Sequence, residues 1–213
     1  ALPFSDSLGY NTSQMEIHKA GSMHRRITNR LEENAQVQRT IAKDKTHEIE
    51  EMVNLILTAY RSGGKVILFG NGGSAADAQH LAGELVGKFK LERQALPAIA
   101  LTTNTSILTA LSNDYGYETV FGRQVEALAT EKDVIVGLST SGNSPNVIEA
   151  IKIAKARGAK TIGLTGGNGG RLAEMADLVL VVPSDNTPQI QEMHITIGHI
   201  VCELVESELA GTD

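Results

Sequence analysis

A histidine and a glutamate four residues apart follow a glycine-rich turn in this sequence. His80 and Glu84 come after residues 70–74 (GNGGS) and Asp77, and the turn itself follows the apolar run 66–69. Residues four apart share one face of an α-helix, so an imidazole and a carboxylate can act on one ligand. Glycine backbone can approach an anionic or sugar-like ligand closely, and a helix N-terminus offers free N–H groups. The pattern indicates either a ligand loop that leads into a reactive helix or a plain turn before a solvated ion pair.

The last predicted helix adds Gln191, His194 and His199. Singly, a helical histidine fits a core or surface group. Four side chains together supply nitrogen and oxygen ligands that suit zinc or a similar divalent ion: His80, Glu84, Gln191 and His199. Gln191 and His199 are separated by about 12 Å along a helix, so they can share one ion only if both side chains reach toward it. The spacing permits a metal site without requiring one.

A second loop, residues 139–144 (STSGNS), follows the apolar run 134–138 and precedes Pro145. Hydroxyl groups, a glycine and a proline in the first helical turn predict a compact anion site that holds phosphate without Lys or Arg. The alternative is a serine-rich loop with an ordinary helix N-cap. A P-loop is excluded because the Gly-Lys-Ser/Thr signature is missing. We interpret the third loop, residues 165–170 (TGGNGG), as structural.

The first loop also satisfies the dinucleotide fingerprint, since Gly70 and Gly72 are followed by Ala75. That fingerprint requires an acidic residue about 20 positions later to hold the ribose. The corresponding end of the second predicted strand reads LTTN over residues 101–104 and carries no carboxylate. The sequence therefore disfavours a nicotinamide enzyme.

Composition limits the classes of function. The chain has 213 residues, 41% of them hydrophobic, and a formal net charge of −6, which argues against a broad nucleic-acid surface. Its one cysteine, Cys202, is predicted to be a buried apolar group in a reducing compartment. We find neither an 18-residue apolar stretch nor a signal pattern, so we predict a cytoplasmic protein without a membrane partner. We divide the chain into an N-terminal extension, 1–22, and one domain, 23–213.

Apolar periodicity predicts an α/β protein. Five short β-branched runs alternate with helical stretches, which implies a parallel sheet covered on both faces. The predicted strands are 65–69, 98–101, 134–138, 161–164 and 178–182, and the predicted helices are 75–88, 106–129, 145–157, 171–176 and 188–209. Two further helices precede them over 25–61, with a break near 44–46. The polar segment 113–117 (NDYGY) inside a predicted helix is either a turn or a substrate contact.

Four segments resemble the sugar isomerase (SIS) domain and, within it, the phosphoheptose isomerases. They are FGNGGSAADAQHLAGEL, ALTTNTSILTALSNDYGYE, LSTSGNSPNVIEAI and IQEMHITIGHIVCELVE, and the likeness covers about residues 45–210. The resemblance implies a three-layer αβα sandwich, Rossmann-like or flavodoxin-like, with a five-stranded parallel sheet and added N-terminal helices. It also implies a homotetramer with active sites at subunit interfaces and one Zn²⁺ per subunit.

The resemblance assigns roles to individual residues. Those that line the substrate are Asn71, Gly72, Gly73, Glu84, Asn113, Asp114 and Gln191. Those that hold its phosphate are Ser139, Thr140, Ser141 and Ser144. The metal ligands are His80, Glu84, Gln191 and His199. Some relatives carry Asp where this chain has Asn186, which places a ring-opening role for that position in doubt, although Asp185 is adjacent.

The reaction that the resemblance implies is an aldose–ketose isomerisation. Sedoheptulose 7-phosphate becomes D-glycero-D-manno-heptose 7-phosphate, the first step of bacterial ADP- or GDP-heptose synthesis for lipopolysaccharide or surface glycans. We assign Glu84 as the base and His199 as the acid. The alternative is a non-catalytic SIS-domain regulator that binds a replication initiator protein; such members lack the acid and the base, and this chain keeps both. Whether one chain or two supply these groups to a site stays open here.

Overall fold

The computed structural model describes residues 22–210. The chain divides into two compact units after Gln36, and each is described by itself. The described part of the first unit is the amino-terminal portion of a helix, on which Met23, Ile27 and Leu31 are exposed. Residues 1–21 of the predicted extension lie outside the described range, so the division at 22/23 stays a prediction.

The second unit contains a mixed set of helices and strands in the predicted order. The helices are α1 (Met23–Asp44, which begins in the first unit), α2 (Thr46–Arg61), α3 (Gly73–Val86), α4 (Thr105–Tyr115), α5 (Val120–Leu128), α6 (Pro145–Ala156), α7 (Gly170–Met175) and α8 (Thr187–Ala210). The strands are β1 (Val66–Gly70), β2 (Ala98–Ala100), β3 (Val134–Leu138), β4 (Lys160–Gly166) and β5 (Leu178–Val182). Within the described range, no helix has the length and apolar character that a bilayer crossing requires.

The five strands form one sheet in the order β2-β1-β3-β4-β5. Every neighbouring pair is parallel. The chain leaves β1 toward one edge of the sheet and leaves β3 toward the other, so the strand order reverses between β1 and β3. Ligands of open α/β sheets bind beyond the carboxyl ends of the strands at such a point. Both candidate loops, 70–72 and 139–144, lie there.

Apolar side chains cover both faces of the sheet, which explains why the strands read as continuous apolar runs. Val66 and Leu68 of β1 join the core on one face, together with side chains of α2, α3 and α8. Ile67 and Phe69 join the core on the other face, with side chains of α5, α6 and α7. The predicted three-layer α/β fold is confirmed, and α3 and α8, which carry the candidate metal ligands, lie on the same face.

The predicted single helix over 106–129 is wrong. The chain instead forms α4, a 3₁₀ turn at Tyr117–Thr119 and then α5. Gly116 separates them with φ of +91°, a conformation that an L side chain rarely adopts and that ends a helix. Of segment 113–117, residues 113–115 still belong to α4 and the chain turns at Gly116; a substrate contact there stays a prediction.

A buried ion pair fixes the amino end of the sheet, opposite the candidate loops. The Asp133 side chain is 1% exposed and lies 2.8 Å from Lys65 Nζ. It also accepts hydrogen bonds from the Lys65 and Thr130 main-chain N–H groups and from the Thr130 hydroxyl. These donors hold the pKa of Asp133 below its usual value against the effect of burial. Asp133 therefore joins β1, β3 and the turn before β3.

Candidate active site

Three side chains with metal-binding chemistry meet where α3 packs against α8. His80 Nε2 lies 2.9 Å from His199 Nε2 and 3.1 Å from Glu84 Oε1. One ligand atom from each residue can be chosen so that all three lie within 4.8 Å of one another. The His80 side chain is 48% exposed, so the cluster is open to solvent and to a small substrate.

A glycine lets the two helices approach closely enough to form this cluster. A Cβ atom on Gly198 would overlap the Leu81 side chain. Gly198 directly precedes His199, and Leu81 directly follows His80. The close contact of α8 with α3 therefore lies beside the two histidines, and a side chain at 198 would require the Leu81 side chain to move.

A second His–Glu pair shows what the spacing alone can provide. His47 and Glu51 on α2 have the same four-residue separation, and their side-chain atoms lie 3.7 Å apart. His47 is 78% exposed, and this pair belongs to no metal-capable group of three within residues 22–210. What distinguishes His80 and Glu84 is therefore the third group, His199, and not their own spacing.

The donor set fits a divalent ion. Two imidazoles and a carboxylate are typical zinc ligands, and bonds of about 2.0–2.1 Å in a tetrahedral site place ligand atoms roughly 3.3 Å apart. The separations of 2.9 and 3.1 Å within the cluster are close to that spacing. Gln191 is placed differently: its amide lies against Gly73, where an added Cβ would overlap it. The structure thus puts Gln191 beside the glycine loop, at the opposite end of α3 from Glu84.

All three clustered side chains come from one chain. His80 and His199 are 119 residues apart in sequence and yet within hydrogen-bond distance. A site with both Glu84 and His199 therefore needs no second subunit to supply either of them.

An amide network joins the loops on the two sides of the strand-order reversal. Asn71, which follows β1, and Asn146, in the first turn of α6, exchange two side-chain hydrogen bonds of 2.9 Å. Asn146 is 2% exposed. The Tyr117 hydroxyl donates to Asn71 Oδ1 over 3.0 Å. The two hydrogen bonds with Asn146 therefore fix the orientation of the Asn71 side chain. The Tyr117 hydroxyl adds a third hydrogen bond to Asn71.

Asn146 and Tyr117 are site residues that sequence reasoning missed. The signal for Asn146 was an amide next to Pro145 at the start of an otherwise apolar helix. Tyr117 lies three residues after Asp114 of the predicted contact pair. Asn113 and Asp114 are exposed and are joined by a 2.8 Å hydrogen bond between their own side chains. Within this turn, it is Tyr117 whose side chain reaches Asn71.

The serine loop does not cap α6 with a side chain, and its role as an anion site stays a prediction. Ser144 occupies the N-cap position of α6 but makes no capping hydrogen bond with its side chain. Its hydroxyl lies 2.9 Å from that of Ser139. Ser141 is exposed, and its hydroxyl accepts from the Asn143 N–H. The ordinary N-cap alternative is therefore not what the fold adopts.

The third loop takes part in this region. A cavity of about 390 Å³ is lined by Thr140 and Ser141 and also by Gly166, Gly167, Asn168 and Asp185. The Gly166 N–H donates to the Thr140 carbonyl, which fixes one loop on the other. The interpretation of residues 165–170 as structural therefore omitted that they form a wall of this cavity.

Asp77 lies one turn before His80 on α3 and is half-buried. Burial raises the pKa of Asp77 to about 6, with a smaller opposing effect from His80. Its buried Oδ2 atom has no hydrogen-bond partner among residues 22–210. Carboxyl groups with such shifted pKa values are concentrated at functional sites.

His194 is a core residue and not a fourth imidazole of the cluster. It is fully buried, and its Nε2 lies 3.2 Å from the Thr165 carbonyl, to which Nε2–H donates. Burial lowers the pKa of His194 to about 4, although this hydrogen bond acts in the opposite direction. Folded His194 therefore stays neutral at a pH where an unfolded histidine is already protonated.

This difference predicts an acid-dependent loss of stability. The unfolded chain binds one more proton at residue 194 than the folded chain between pH 6.5 and about 4, so this contribution to stability falls as the pH falls through that window. The loss totals about 3 kcal/mol. Urea unfolding of wild type and His194→Gln from pH 8 to 4 measures it, with the pH 8 values as each protein's own baseline. Parallel curves for the two proteins would contradict the prediction.

The sequence and the fold of this chain are similar to those of known proteins. A model of the SIS domain family matches residues 31–166. The phosphoheptose isomerase of Pelobacter propionicus is 56% identical over 183 residues, which cover 86% of this chain and 97% of that protein. The solved phosphoheptose isomerase of Neisseria gonorrhoeae aligns with a TM-score of 0.83 at 43% identity, covering 87% of this chain and 100% of that chain. For the Francisella tularensis phosphoheptose isomerase the TM-score is 0.85 at 37% identity, with 88% and 100% covered.

Proposed function

Because the chain belongs to the SIS domain family, among its phosphoheptose isomerases, we propose that it converts sedoheptulose 7-phosphate into D-glycero-D-manno-heptose 7-phosphate. This reaction is an aldose–ketose isomerisation and supplies the first sugar phosphate of bacterial heptose synthesis. The observation that carries the proposal is the cluster of His80, Glu84 and His199 beside a glycine loop, in a chain more than half identical to an isomerase of this name.

The chemistry requires a proton to move between C1 and C2 while a second proton moves between their oxygens. We assign the carbon-bound proton to the Glu84 carboxylate, which takes it from C1 and returns it to C2. His199 carries the other proton, giving it to the C2 oxygen and accepting one from the C1 hydroxyl. Groups of these two kinds each contribute about 10²- to 10⁴-fold to a rate.

We propose Zn²⁺, one per subunit, as the ion held by His80, Glu84 and His199. Gln191, the fourth ligand of the family pattern, lies beside Gly73 at the opposite end of α3 in this chain, so we place it among the substrate-lining residues and not in the ligand set. When bound, zinc polarises the substrate oxygens and favours the negative charge that develops on them. A carboxylate engaged with zinc loses basicity, so Glu84 must keep one oxygen for the substrate proton. Its side chain is 25% exposed, which leaves it accessible from the open side of the cluster.

The remaining assignments concern binding. We propose that Asn71, held by Asn146, and the main chain of Gly72 and Gly73 line the sugar, together with Asn113, Asp114 and Gln191. The phosphate lies in the serine loop against Ser139, Thr140, Ser141 and Ser144. The phosphate is on C7 and the reacting carbons are C1 and C2. We therefore expect the serine loop to contribute to substrate affinity rather than to the chemical step.

Removal of loop hydroxyls is therefore expected to weaken substrate binding. Ser141→Ala and Ser144→Ala each raise KM by the equivalent of about 0.5–3 kcal/mol, which is the range for a hydrogen bond to a charged group, with a smaller change in kcat. Steady-state kinetics with sedoheptulose 7-phosphate measures both constants. Ser62→Ala is the control, since Ser62 ends α2 and its hydroxyl donates to the Thr58 carbonyl. An unchanged KM in both loop variants would place the phosphate elsewhere.

The function itself is tested by product identification. The protein, loaded with Zn²⁺ or treated with a chelator, is incubated with sedoheptulose 7-phosphate, and the product is identified by NMR. Formation of the aldose phosphate by the loaded protein supports the isomerase. Binding of the sugar phosphate without turnover would instead favour the regulatory alternative.

We also propose a cytoplasmic homotetramer, as the family pattern suggests. Sedimentation equilibrium tests the assembly, and a fully active monomer would contradict it.

A further inference from the structure

A buried carboxylate on α8 organises the segment that follows α3. Glu206 is 1% exposed, and its two oxygens accept the main-chain N–H groups of Phe89, Lys90 and Leu91 over 2.6–2.9 Å. Arg93 Nε donates to the same carboxylate over 3.1 Å. Four donors on one buried side chain fix the course of residues 89–93 on the surface of α8.

Arg93 connects the same segment to the end of α3. Its guanidinium donates to the carbonyl groups of Glu84, Leu85 and Gly87. The last carbonyls of a helix have no partner within the helix and carry the negative end of its dipole, so a cation stabilises them. The last turn of α3 contains no basic residue of its own. Arg93 therefore supplies the cap, and one of its bonds is to the backbone of Glu84.

Phe89, whose main-chain N–H is bound by Glu206, also contacts the candidate site. The Phe89 ring lies against the His199 ring, with centroids 5.5 Å apart and planes inclined by 36°. The His199 ring also lies near the His80 ring, at 5.0 Å between centroids. His199 thus contacts both an aromatic ring held through Glu206 and the second imidazole of the cluster.

We propose that Glu206 is a positioning residue for the isomerase site, which it serves by holding Phe89 against His199 and, with Arg93, the end of the helix that bears Glu84. It touches neither the substrate nor the clustered ligand atoms. Its contacts set the ring orientation of His199 and the backbone position of Glu84. This inference rests on the proposed function for its kinetic test, but its spectroscopic test does not.

A merely structural role makes a different prediction. If Glu206 only stabilised the fold, its loss would lower the melting temperature, and the folded molecules would keep a normal site. Asp133 is a matched control for that case: it is equally buried, it also accepts main-chain N–H groups and a cation, and it lies at the other end of the sheet.

The test compares Glu206→Gln, Phe89→Leu and Asp133→Asn. Gln keeps the size of Glu206 but presents an NH₂ group to donors that need an acceptor. Phe89→Leu removes the ring and leaves the Phe89 main-chain bond to Glu206 intact. With sedoheptulose 7-phosphate, we expect kcat to fall about 10- to 100-fold in the first two variants, the range found when partners of metal ligands are lost, with KM changed by less than about twofold. Asp133→Asn keeps the wild-type kcat.

The second measurement is the NMR signal of His199 in protein labelled at histidine Cε1, assigned by its loss in His199→Asn. Loss of the aromatic neighbour shifts this signal in Phe89→Leu. If Glu206 acts through Phe89, the signal in Glu206→Gln moves toward that position, and in Asp133→Asn it stays at the wild-type position.

A wild-type kcat in folded Glu206→Gln, or a His199 signal unmoved in that variant, would overturn the proposal. Should Glu206→Gln not fold, Phe89→Leu decides alone, because a normal kcat there removes the contact from catalysis. An inactive wild type would instead count against the proposed function, and the His199 signals would still decide the positioning.

Discussion

Replacement of Glu84 by Gln is expected to lower kcat for sedoheptulose 7-phosphate by about 10²- to 10⁴-fold. Gln keeps the length of the side chain and an oxygen that can still face His80, but it cannot take a proton from carbon. The fold should be intact, since Glu84 is partly exposed and Arg93 bonds its main-chain carbonyl rather than its carboxylate. Stopped assays with the zinc-loaded variant measure the loss, and circular dichroism verifies the fold.

The chain offers a control with the same local geometry. Glu51 stands four residues after a histidine on α2, as Glu84 does on α3. Glu51→Gln should retain wild-type kcat. A Glu84→Gln enzyme with near-normal turnover would remove Glu84 from the role of base.

His199→Asn is expected to produce a comparable loss of turnover and, in addition, a loss of metal affinity. The imidazole is both the assigned acid and one of the three clustered ligands, and Asn does not titrate in the working range. We expect kcat to fall by about 10²-fold or more and zinc affinity by at least about 10-fold, as losses of even outer partners cost that much. Competition with a chromogenic chelator measures the affinity.

His47→Asn is the matched control, because it removes an exposed histidine that pairs with Glu51.

A mixing experiment adds a further check. Glu84 and His199 meet within one chain, so co-refolded Glu84→Gln and His199→Asn subunits should leave every site with a defect and restore no activity. Recovery of activity would show that subunits exchange these groups. Full activity in His199→Asn alone would return that residue to a structural role.

The order and type of the elements follow from sequence because the central strands β1, β3 and β4 are buried on both faces and the helices cover the sheet with apolar side chains. The exception, between α4 and α5, shows the limit of periodicity. Apolar residues continue at helical spacing through 106–129, but Gly116 adopts a positive φ and the chain turns. The periodicity of apolar residues indicates which side chains face the core. It does not reveal a single residue, such as Gly116, at which the chain changes direction.

The site was predictable to the extent that its chemistry resides in side chains of distinctive type. His80, Glu84 and His199 could be named from the sequence, but their spacing alone did not separate the first two from His47 and Glu51. Glu206 could not be identified, because three of its four donors are main-chain N–H groups, which every residue except proline carries. A carboxylate that binds backbone has no partner that can be recognised in a sequence.

The long sequence separation within the cluster also orders events during synthesis. At 5–20 residues per second, the 119 residues between His80 and His199 take roughly 6–24 s to add. During that interval the growing chain contains His80 and Glu84 but not His199. It therefore offers two potential ligands at this position, as His47 and Glu51 do on α2. A complete ion site arises after the last strand is in place and α8 has docked on α3. Capture of the proposed ion by all three ligands therefore requires α8 to have docked on α3.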